Sequence, residues 1–283
     1  MIIKNISNQY DVLFEDGSIH SCIAMGKVRQ DKKPLVGDHV LIEKFDSQYG
    51  IQKILERKNM LLRPAIANVD QALIVMSARC PDFSCVLIDR LIFLISLAGI
   101  EPVLCVTKMD LIQPDDPIYE AISDYEKSGY RVYQTGTDFD ETKIIECFEN
   151  KITVLTGQSG AGKSSLLNRI NPDFELNTQI TSKALGRGKH TTRHCQLFPI
   201  GNGWVADTPG FSSLDFSRVN LLELAHSIPD FQVHEDCRFR DCVHLDEPNC
   251  VIKEYVERGQ ISQIRYQNYK DIARMIKQNK KGY

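Results

Sequence analysis

The sequence predicts a multidomain α/β chain: an N-terminal OB-like β-barrel, a parallel-sheet α/β domain, and a helical C-terminal segment built around clustered cysteines. Three observations predict it. Short β-branched runs fill residues 1–60. After Arg63-Pro64, buried-strand runs alternate with helical stretches, the pattern of a sheet covered on both faces. From Val219 onward the pattern is helical, interrupted by Cys237, Cys242 and Cys250.

Composition sets the frame. With 283 residues, 42% of them hydrophobic and 25% charged, the chain is long enough for more than one domain and has the balance of a soluble globular protein. The longest apolar stretch, near Ile88–Gly99, is broken by Asp89 and Arg90 and is too short to span a bilayer. The N-terminus MIIKNISNQYDVLFEDG lacks a charged-then-apolar signal design, so a cytoplasmic protein without membrane partners is expected. Nine cysteines, an odd count in a chain of this size, do not read as a disulfide framework. Net charge is −3, but it is unevenly spread. Residues 101–150 hold 12 acids against 4 bases, whereas residues 251–283 hold 8 bases against 3 acids. Such polarity suits an RNA-facing surface, and a solvated helix face equally.

In the first 60 residues the runs Ile2–Ile6, Tyr10–Phe14, Ile19–Met25, His39–Lys44 and Gly50–Ile54 predict five strands, with Asp16-Gly17 as a hairpin turn. Five short strands in so small a segment predict an oligonucleotide-binding barrel; an SH3-like barrel gives nearly the same pattern. The boundaries expected are 1–62 for this barrel, 63–218 for the α/β domain and 219–283 for the helical segment. Within the second, Ala72–Met76, Val103–Val106 and Ile152–Leu155 read as buried strands, and Ser84–Ala98 and Ile118–Lys127 as helices.

One loop carries chemistry directly. Gly157, Gln158, Ser159, Gly160, Ala161, Gly162, Lys163 and Ser164, followed by Ser165, fit G-x-x-x-x-G-K-[ST] between a strand and a helix. Glycines let backbone N–H groups turn inward around phosphate oxygens at the positive end of the next helix. Lys163 would reach the β- and γ-phosphates, and Ser164 would ligate Mg²⁺.

Nucleotide identity is read elsewhere. Thr107-Lys108-Met109-Asp110 ends the buried strand Pro102–Val106, where α/β proteins hold ligands. The Asp110 carboxylate can accept two N–H bonds from a guanine edge, and the Lys108 stem can cover the base. The usual first residue of this motif is Asn; Thr107 offers fewer hydrogen bonds, so weaker bracing of the loop is expected. Thr135-Gly136-Thr137 is the candidate loop behind the base.

Downstream, Gly203–Asp207 reads as a strand ending in Asp207-Thr208-Pro209-Gly210. Asp207 would orient Mg²⁺ through water, and the Gly210 amide would sense the γ-phosphate. Between lies the basic, glycine-rich run Gly186–Arg193, in which Thr191 or Thr192 is the candidate switch ligand. Read from the phosphate loop, the order is loop, switch threonine, D-x-x-G, with the base-reading motif placed before them all. Joining old ends and cutting elsewhere produces this order without changing the site, so the sequence predicts a circular permutation.

The last cluster, Cys237-x4-Cys242-x-His244-x5-Cys250, offers three thiols and an imidazole in a polar neighbourhood. Four N/S ligands supplied wholly by protein are the donor set of a structural zinc; a few buried cysteines beside a surface histidine are the alternative. His234, nearby, reads as a surface residue.

With these motifs together, the chain resembles the circularly permuted, ribosome small-subunit-dependent GTPase A family (RsgA) over essentially its whole length. The resemblance rests on TKMD, GQSGAGKSS, GRGKHTT, DTPGF and the cysteine cluster. It implies a bacterial GTP-binding protein with GTP and GDP as ligands, acting in late maturation of the small ribosomal subunit. Binding to that subunit, its 16S rRNA and proteins would stimulate hydrolysis. It also implies one zinc at Cys237, Cys242, His244 and Cys250, and a monomeric protein.

Ordinary GTPases often place a water-orienting Gln directly after D-x-x-G. Here Phe211 stands there, so slow intrinsic turnover and dependence on a partner are expected. His190 is a candidate to orient water, and an RNA-facing or solvated role fits it as well. Arg187 and Arg193 would stabilise charge or touch RNA phosphates. Two rivals are a phosphate-loop kinase or ATPase, against which TKMD speaks, and an RNA-binding module with a vestigial nucleotide site. The intact Lys163, Ser164 and Asp207 speak against the second.

Overall fold

The structure, a computed structural model, describes residues 1–26, 28, 33–46, 48–62, 65–171, 195–206 and 215–280. In chain order the strands of the N-terminal region are β1 (Ile2–Ile6), β2 (Gln9–Leu13), β3 (Ile19–Ala24), β4 (Val40–Phe45) and β5 (Gln48–Ile54), followed by the small pair β6 (Met60–Leu62) and β7 (Ala65–Ala67). Then come β8 (Gln71–Ser77), α1 (Cys85–Leu97), β9 (Glu101–Thr107), α2 (Ile118–Lys127), β10 (Val132–Gln134), α3 (Glu141–Glu146), β11 (Ile152–Gly157) and α4 (Lys163–Ile170). The chain closes with β12 (Leu197–Ile200), β13 (Gly203–Ala206), α5 (Leu221–Ser227), α6 (Val251–Glu257) and α7 (Gln263–Lys280). Two compact units divide it: Met1–Gln71 with Asp140–Leu155 and Gly162–Gly210, and Ala72–Phe139 with Thr156–Ala161 and Phe211–Tyr283.

In the first unit β1 to β5 form one sheet in the order β1-β2-β3-β5-β4. Neighbours are antiparallel except β3 and β5, which run parallel with Cys22 opposite Tyr49 and Ala24 opposite Ile51. That parallel pair is what a five-stranded Greek-key barrel of the oligonucleotide-binding kind requires and an SH3-like barrel lacks. Inward alternation is visible in Tyr10, Val12, Cys22 and Ala24, all buried, while Ile19 and Ile23 are exposed. At the predicted hairpin, Asp16 Oδ1 accepts the Ser18 N–H at 2.9 Å, and the Phe14 N–H donates to the Ser18 carbonyl at 2.8 Å. A buried ion pair ties the barrel's far side. Arg57 donates from Nε to Asp38 Oδ1 at 2.7 Å and from a terminal nitrogen to Oδ2 at 2.8 Å, and the Leu35 N–H adds a 2.7 Å bond to Oδ2. The fork geometry satisfies a fully buried carboxylate. In the same unit β13 runs parallel to β11, with β12 antiparallel outside it.

In the second unit the strand order is β10-β9-β8, and β9 and β10 run parallel, with Val132 opposite Leu104. Every residue of β8 is buried, as its unbroken apolar run foretells. Helix α1 starts at Ser84, whose side chain accepts the Leu87 N–H at 3.3 Å, and buries Ile88, Leu91, Ile92 and Ile95. Helix α2 occupies the residues the sequence predicts, 118–127, and buries Ile118, Ile122 and Tyr125 at helical spacing. Among the described residues no helix is long and apolar enough to cross a membrane.

Candidate functional site

The turn expected to read the base is built where β9 ends. Thr107, nearly buried, donates its hydroxyl to the Ala161 carbonyl at 2.6 Å, with the Met76 carbonyl at 3.3 Å. Lys108 takes a left-handed backbone, φ 59°, which turns the chain sharply into a short 3₁₀ turn at Met109–Leu111. Its ammonium donates to the Gly160 carbonyl at 3.0 Å and to the Cys80 carbonyl. Thr107 and Lys108 therefore both grip the middle of the 157–164 loop. The single Thr107 hydroxyl makes the link to the loop itself, at a short distance.

Asp110 is exposed on this turn. The loop expected behind the base lies directly against it. The Met109 N–H donates to the Thr135 carbonyl at 3.0 Å, and the Thr135 N–H donates to the Val106 carbonyl at 2.8 Å. A Cβ on Gly136 would stand 2.8 Å from Asp110 Oδ1 and 3.2 Å from its backbone nitrogen, so only glycine leaves the carboxylate in place. Beneath, Met109 and Ile112 pack on the apolar cluster of Ala78, Val106, Ile118 and Ile122.

Where β11 turns into the phosphate loop, Gly157 has φ 121°, and a Cβ there would fall 2.0 Å from the Val75 carbonyl oxygen. The strand end can thus lie against β8 only as glycine. The Ala161 N–H closes on the Gln158 carbonyl at 3.2 Å. After Gly162, helix α4 begins at Lys163 and carries Ser164 and Ser165 exposed on its first turn. Burial lowers the Lys163 pKa from its ordinary value, so a phosphate beside it would restore the charge that burial disfavours.

Asp207, Gly210, Phe211, His190, Thr191, Thr192, Arg187 and Arg193 lie outside the described residues.

The cysteine cluster is assembled in the C-terminal part of the second unit. The ligand atoms of Cys237, Cys242, His244 and Cys250 all lie within 4.8 Å of one another. His244 Nδ1 is 3.4 Å from Cys250 Sγ and 3.7 Å from Cys237 Sγ, and the two sulfurs are 4.0 Å apart. A tetrahedral zinc with bonds of about 2.3 Å to sulfur and about 2.0 Å to nitrogen needs S···S near ~3.8 Å and S···N near ~3.5 Å. The four residues fit such a metal, and Nδ1 is the imidazole atom that faces it. Burial pushes the Cys242 thiol up to about 12 and raises Cys250, while burial and the neighbouring His226 and His234 lower His244 to about 4. The imidazole is thus held neutral, as a ligand must be, and the two thiols must give up protons to a metal.

Sequence reasoning missed the frame of this cluster. Tyr266 and Tyr269 of α7 donate to the carbonyls of His244 (2.7 Å) and Val243 (2.6 Å). Glu247 accepts the N–H groups of Val243 (3.1 Å) and Leu245 (2.8 Å). His234, expected on the surface, is half-buried instead: its ring stacks on His226 at 4.2 Å, and its Nδ1 faces the Phe231 carbonyl at 2.8 Å. Only the i, i+3 spacing of the two tyrosines on one helix face was a usable signal.

Comparison with known proteins gives a consistent picture. The family described as "RsgA GTPase" matches residues 54–217, and "RsgA N-terminal domain" matches residues 1–51. A relative from Bacillus velezensis, "Small ribosomal subunit biogenesis GTPase RsgA", is 45% identical over 291 residues, covering 100% of this chain and 98% of that protein. The protein of the same name from Bacillus subtilis is 44% identical over 293 residues, with the same coverage. Among solved structures, "YloQ, a circularly permuted GTPase" superposes with a TM-score of 0.83 at 41% identity, covering 98% of this chain and 94% of that one. YjeQ from Thermotoga maritima gives a TM-score of 0.83 at 34% identity, covering 97% and 96%.

Proposed function

We propose that this chain, which belongs to the RsgA GTPase family, hydrolyses GTP in late maturation of the small ribosomal subunit and is activated by that subunit and its 16S rRNA. One observation carries the nucleotide half of this reading: Thr107 and Lys108, in the turn that carries Asp110, are hydrogen-bonded to Ala161 and Gly160 of the phosphate loop. A turn that selects guanine is of use only if it is fixed to the loop that holds the phosphates. The relatives' name supports the ribosomal half.

In this reading Asp110 accepts the guanine N–H groups, and Gly136 leaves it room to do so. The backbone from Gly157 to Ser165 cradles the phosphates, and Lys163 neutralises charge that grows on the leaving oxygens. Ser164, with Asp207 acting through water, would hold Mg²⁺, which when bound supplies further neutralisation of the phosphates. Thr191 or Thr192 closes the switch, Gly210 reports the γ-phosphate, and His190 orients water once the partner has bound. The cluster of Cys237, Cys242, His244 and Cys250 holds one structural zinc. The division into barrel (1–62), GTPase (63–218) and zinc-bearing (219–283) parts, a monomeric state and a cytoplasmic location complete the proposal.

The test is multiple-turnover GTP hydrolysis with and without purified small subunits. Slow turnover alone and strong acceleration by subunits are expected, and His190→Ala should remove most of the acceleration while nucleotide and subunit binding persist. A free enzyme as fast as the bound one overturns the partner-activated reading. ATP hydrolysed as readily as GTP overturns the guanine reading.

A further inference from the structure

The most buried cation among the described residues belongs to neither site. Arg265 of α7 has a side chain that is 1% exposed and meets three carboxylates. Its Nε faces Asp89 of α1 at 3.3 Å, one terminal nitrogen faces Asp124 of α2 at 3.1 Å, and the other bonds Asp230 and donates to the Ser128 hydroxyl at 2.9 Å. The guanidinium carbon lies 4.4 Å from the ring centre of Tyr125 and 5.1 Å from that of Tyr130. The acids are themselves held: Tyr125 donates to Asp89 at 2.8 Å, Asn268 donates to the other Asp89 oxygen at 2.5 Å, and Tyr130 donates to Asp230. One planar fork thus ties α7 to α1, to α2 and to the 3₁₀ segment Pro229–Asp236 that leads into the cysteine cluster.

Both ends of this connection reach a site. On one side, α2 supports the base-reading turn, because Ile118 and Ile122 form the apolar cluster on which Met109 and Ile112 rest. On the other side, Tyr266 and Tyr269, one and four positions beyond Arg265 on α7, hold the carbonyls of His244 and Val243. A shift of α7 that follows loosening of the cluster must therefore either break the Arg265 fork or drag the C-terminal end of α2 with it. Packed interiors pass on such shifts because they cannot deform continuously.

We propose that Arg265 is a positioning residue that couples the metal cluster to guanine recognition, through Asp124 on the helix beneath Asp110. The coupling rests on reading residues 107–110 as the guanine reader and the cluster as a metal site. By linkage it is reciprocal: metal at the cluster tightens guanine-nucleotide binding, and bound nucleotide tightens metal retention by the same factor.

The experiment measures the Kd of a fluorescent GDP analogue before and after zinc is stripped by a chelator, and the zinc Kd with and without GDP. Parent protein should lose about tenfold in GDP affinity on stripping and gain the same factor in zinc affinity with GDP, within the range usual for coupled sites. Asp124→Ala removes only a partly exposed arm of the fork, so the fold should survive, as unchanged zinc stoichiometry and melting would verify. In that variant both factors should fall towards one, and in Arg265→Lys, which keeps charge but not the fork, they should fall in part. A purely structural Arg265 would lower stability in these variants and leave the two factors equal to the parent's. That result, or no coupling in the parent, overturns the proposal. Asp110→Asn, scored for xanthine over guanine preference, tests the base-reading premise separately. If it shifts preference and coupling is absent, only the coupling fails; if preference does not shift, the premise itself fails.

Discussion

The hydroxyl of Thr107 and the carbonyl of Ala161, separated by 54 positions in sequence, share a 2.6 Å hydrogen bond that fastens the turn carrying Asp110 to the 157–165 loop. The bond is buried. Thr107→Val, which removes the hydroxyl at constant shape, should cost about 1 kcal/mol, roughly fivefold in GDP affinity. Thr107→Asn should retain the parent's affinity. Nucleotide titration of the two variants decides it; a Val variant that binds like the parent would show that the loop is held without this bond.

Gly136→Ala addresses selectivity from behind the base. The added methyl would stand 2.8 Å from Asp110 Oδ1, so the carboxylate has to move. GTP affinity should drop tenfold or more, on the order of 1.5–3 kcal/mol for a charge-assisted bond, with little change in melting temperature. Discrimination against other bases should fall with it. An Ala variant with unaltered GTP binding would mean that Asp110 does not touch the base.

Metal binding should depend steeply on pH. With Cys242 raised to about 12 and Cys250 also raised, both thiols are protonated near neutrality and must release protons to zinc, whereas His244, at about 4, is already neutral. Zinc affinity should therefore rise with pH between about 6 and 8, with on the order of two or more protons released per metal. Competition titrations against a chelator of known pH dependence give the slope, and a flat profile would contradict the ligand set.

Arg57→Met tests the barrel. Removing the guanidinium leaves Asp38 buried with only the Leu35 N–H among the bonds described above. Breaking one partner from a buried pair typically costs about 3–5 kcal/mol. A lowered first transition in calorimetry is expected, with the loss partly recovered by adding Asp38→Asn. Unchanged melting would show that the barrel relaxes around the charge.

Much of this was legible in sequence, for identifiable reasons. Helix 118–127 emerged because its burial follows the helical period, and the five barrel strands emerged within a residue or two because short β-branched runs are separated by turn residues. The 157–165 loop and TKMD stood out because phosphate and base impose residue types at fixed spacing, and the structure hydrogen-bonds the two segments to each other. Arg265 was not. It sits in a basic helix among solvated lysines and arginines, and its partner Asp89 is 176 positions away. No local pattern tells which arginine of such a helix turns inward. The acceptor that Thr107 finds was equally invisible: counting donors in a side chain says nothing about how close its acceptor stands.

That Arg265 follows all three of its acids in chain order has a consequence for how the protein is made. Asp89, Asp124 and Asp230 leave the ribosome before the cation that answers them, by roughly 9 s for the first at about 20 residues per second and longer at slower rates. Until α7 emerges, three acids and the two tyrosine rings face one another around a gap with no counter-ion, so α1 and α2 cannot close together at full stability. Chains truncated before Gln263 should accordingly be cut by protease within α2, and full-length chains should resist. Helix α7 is in this sense a latch. If residues 107–110 read guanine as proposed, a nascent chain should grip nucleotide only after α7 has emerged and its cation has closed the gap between α1 and α2.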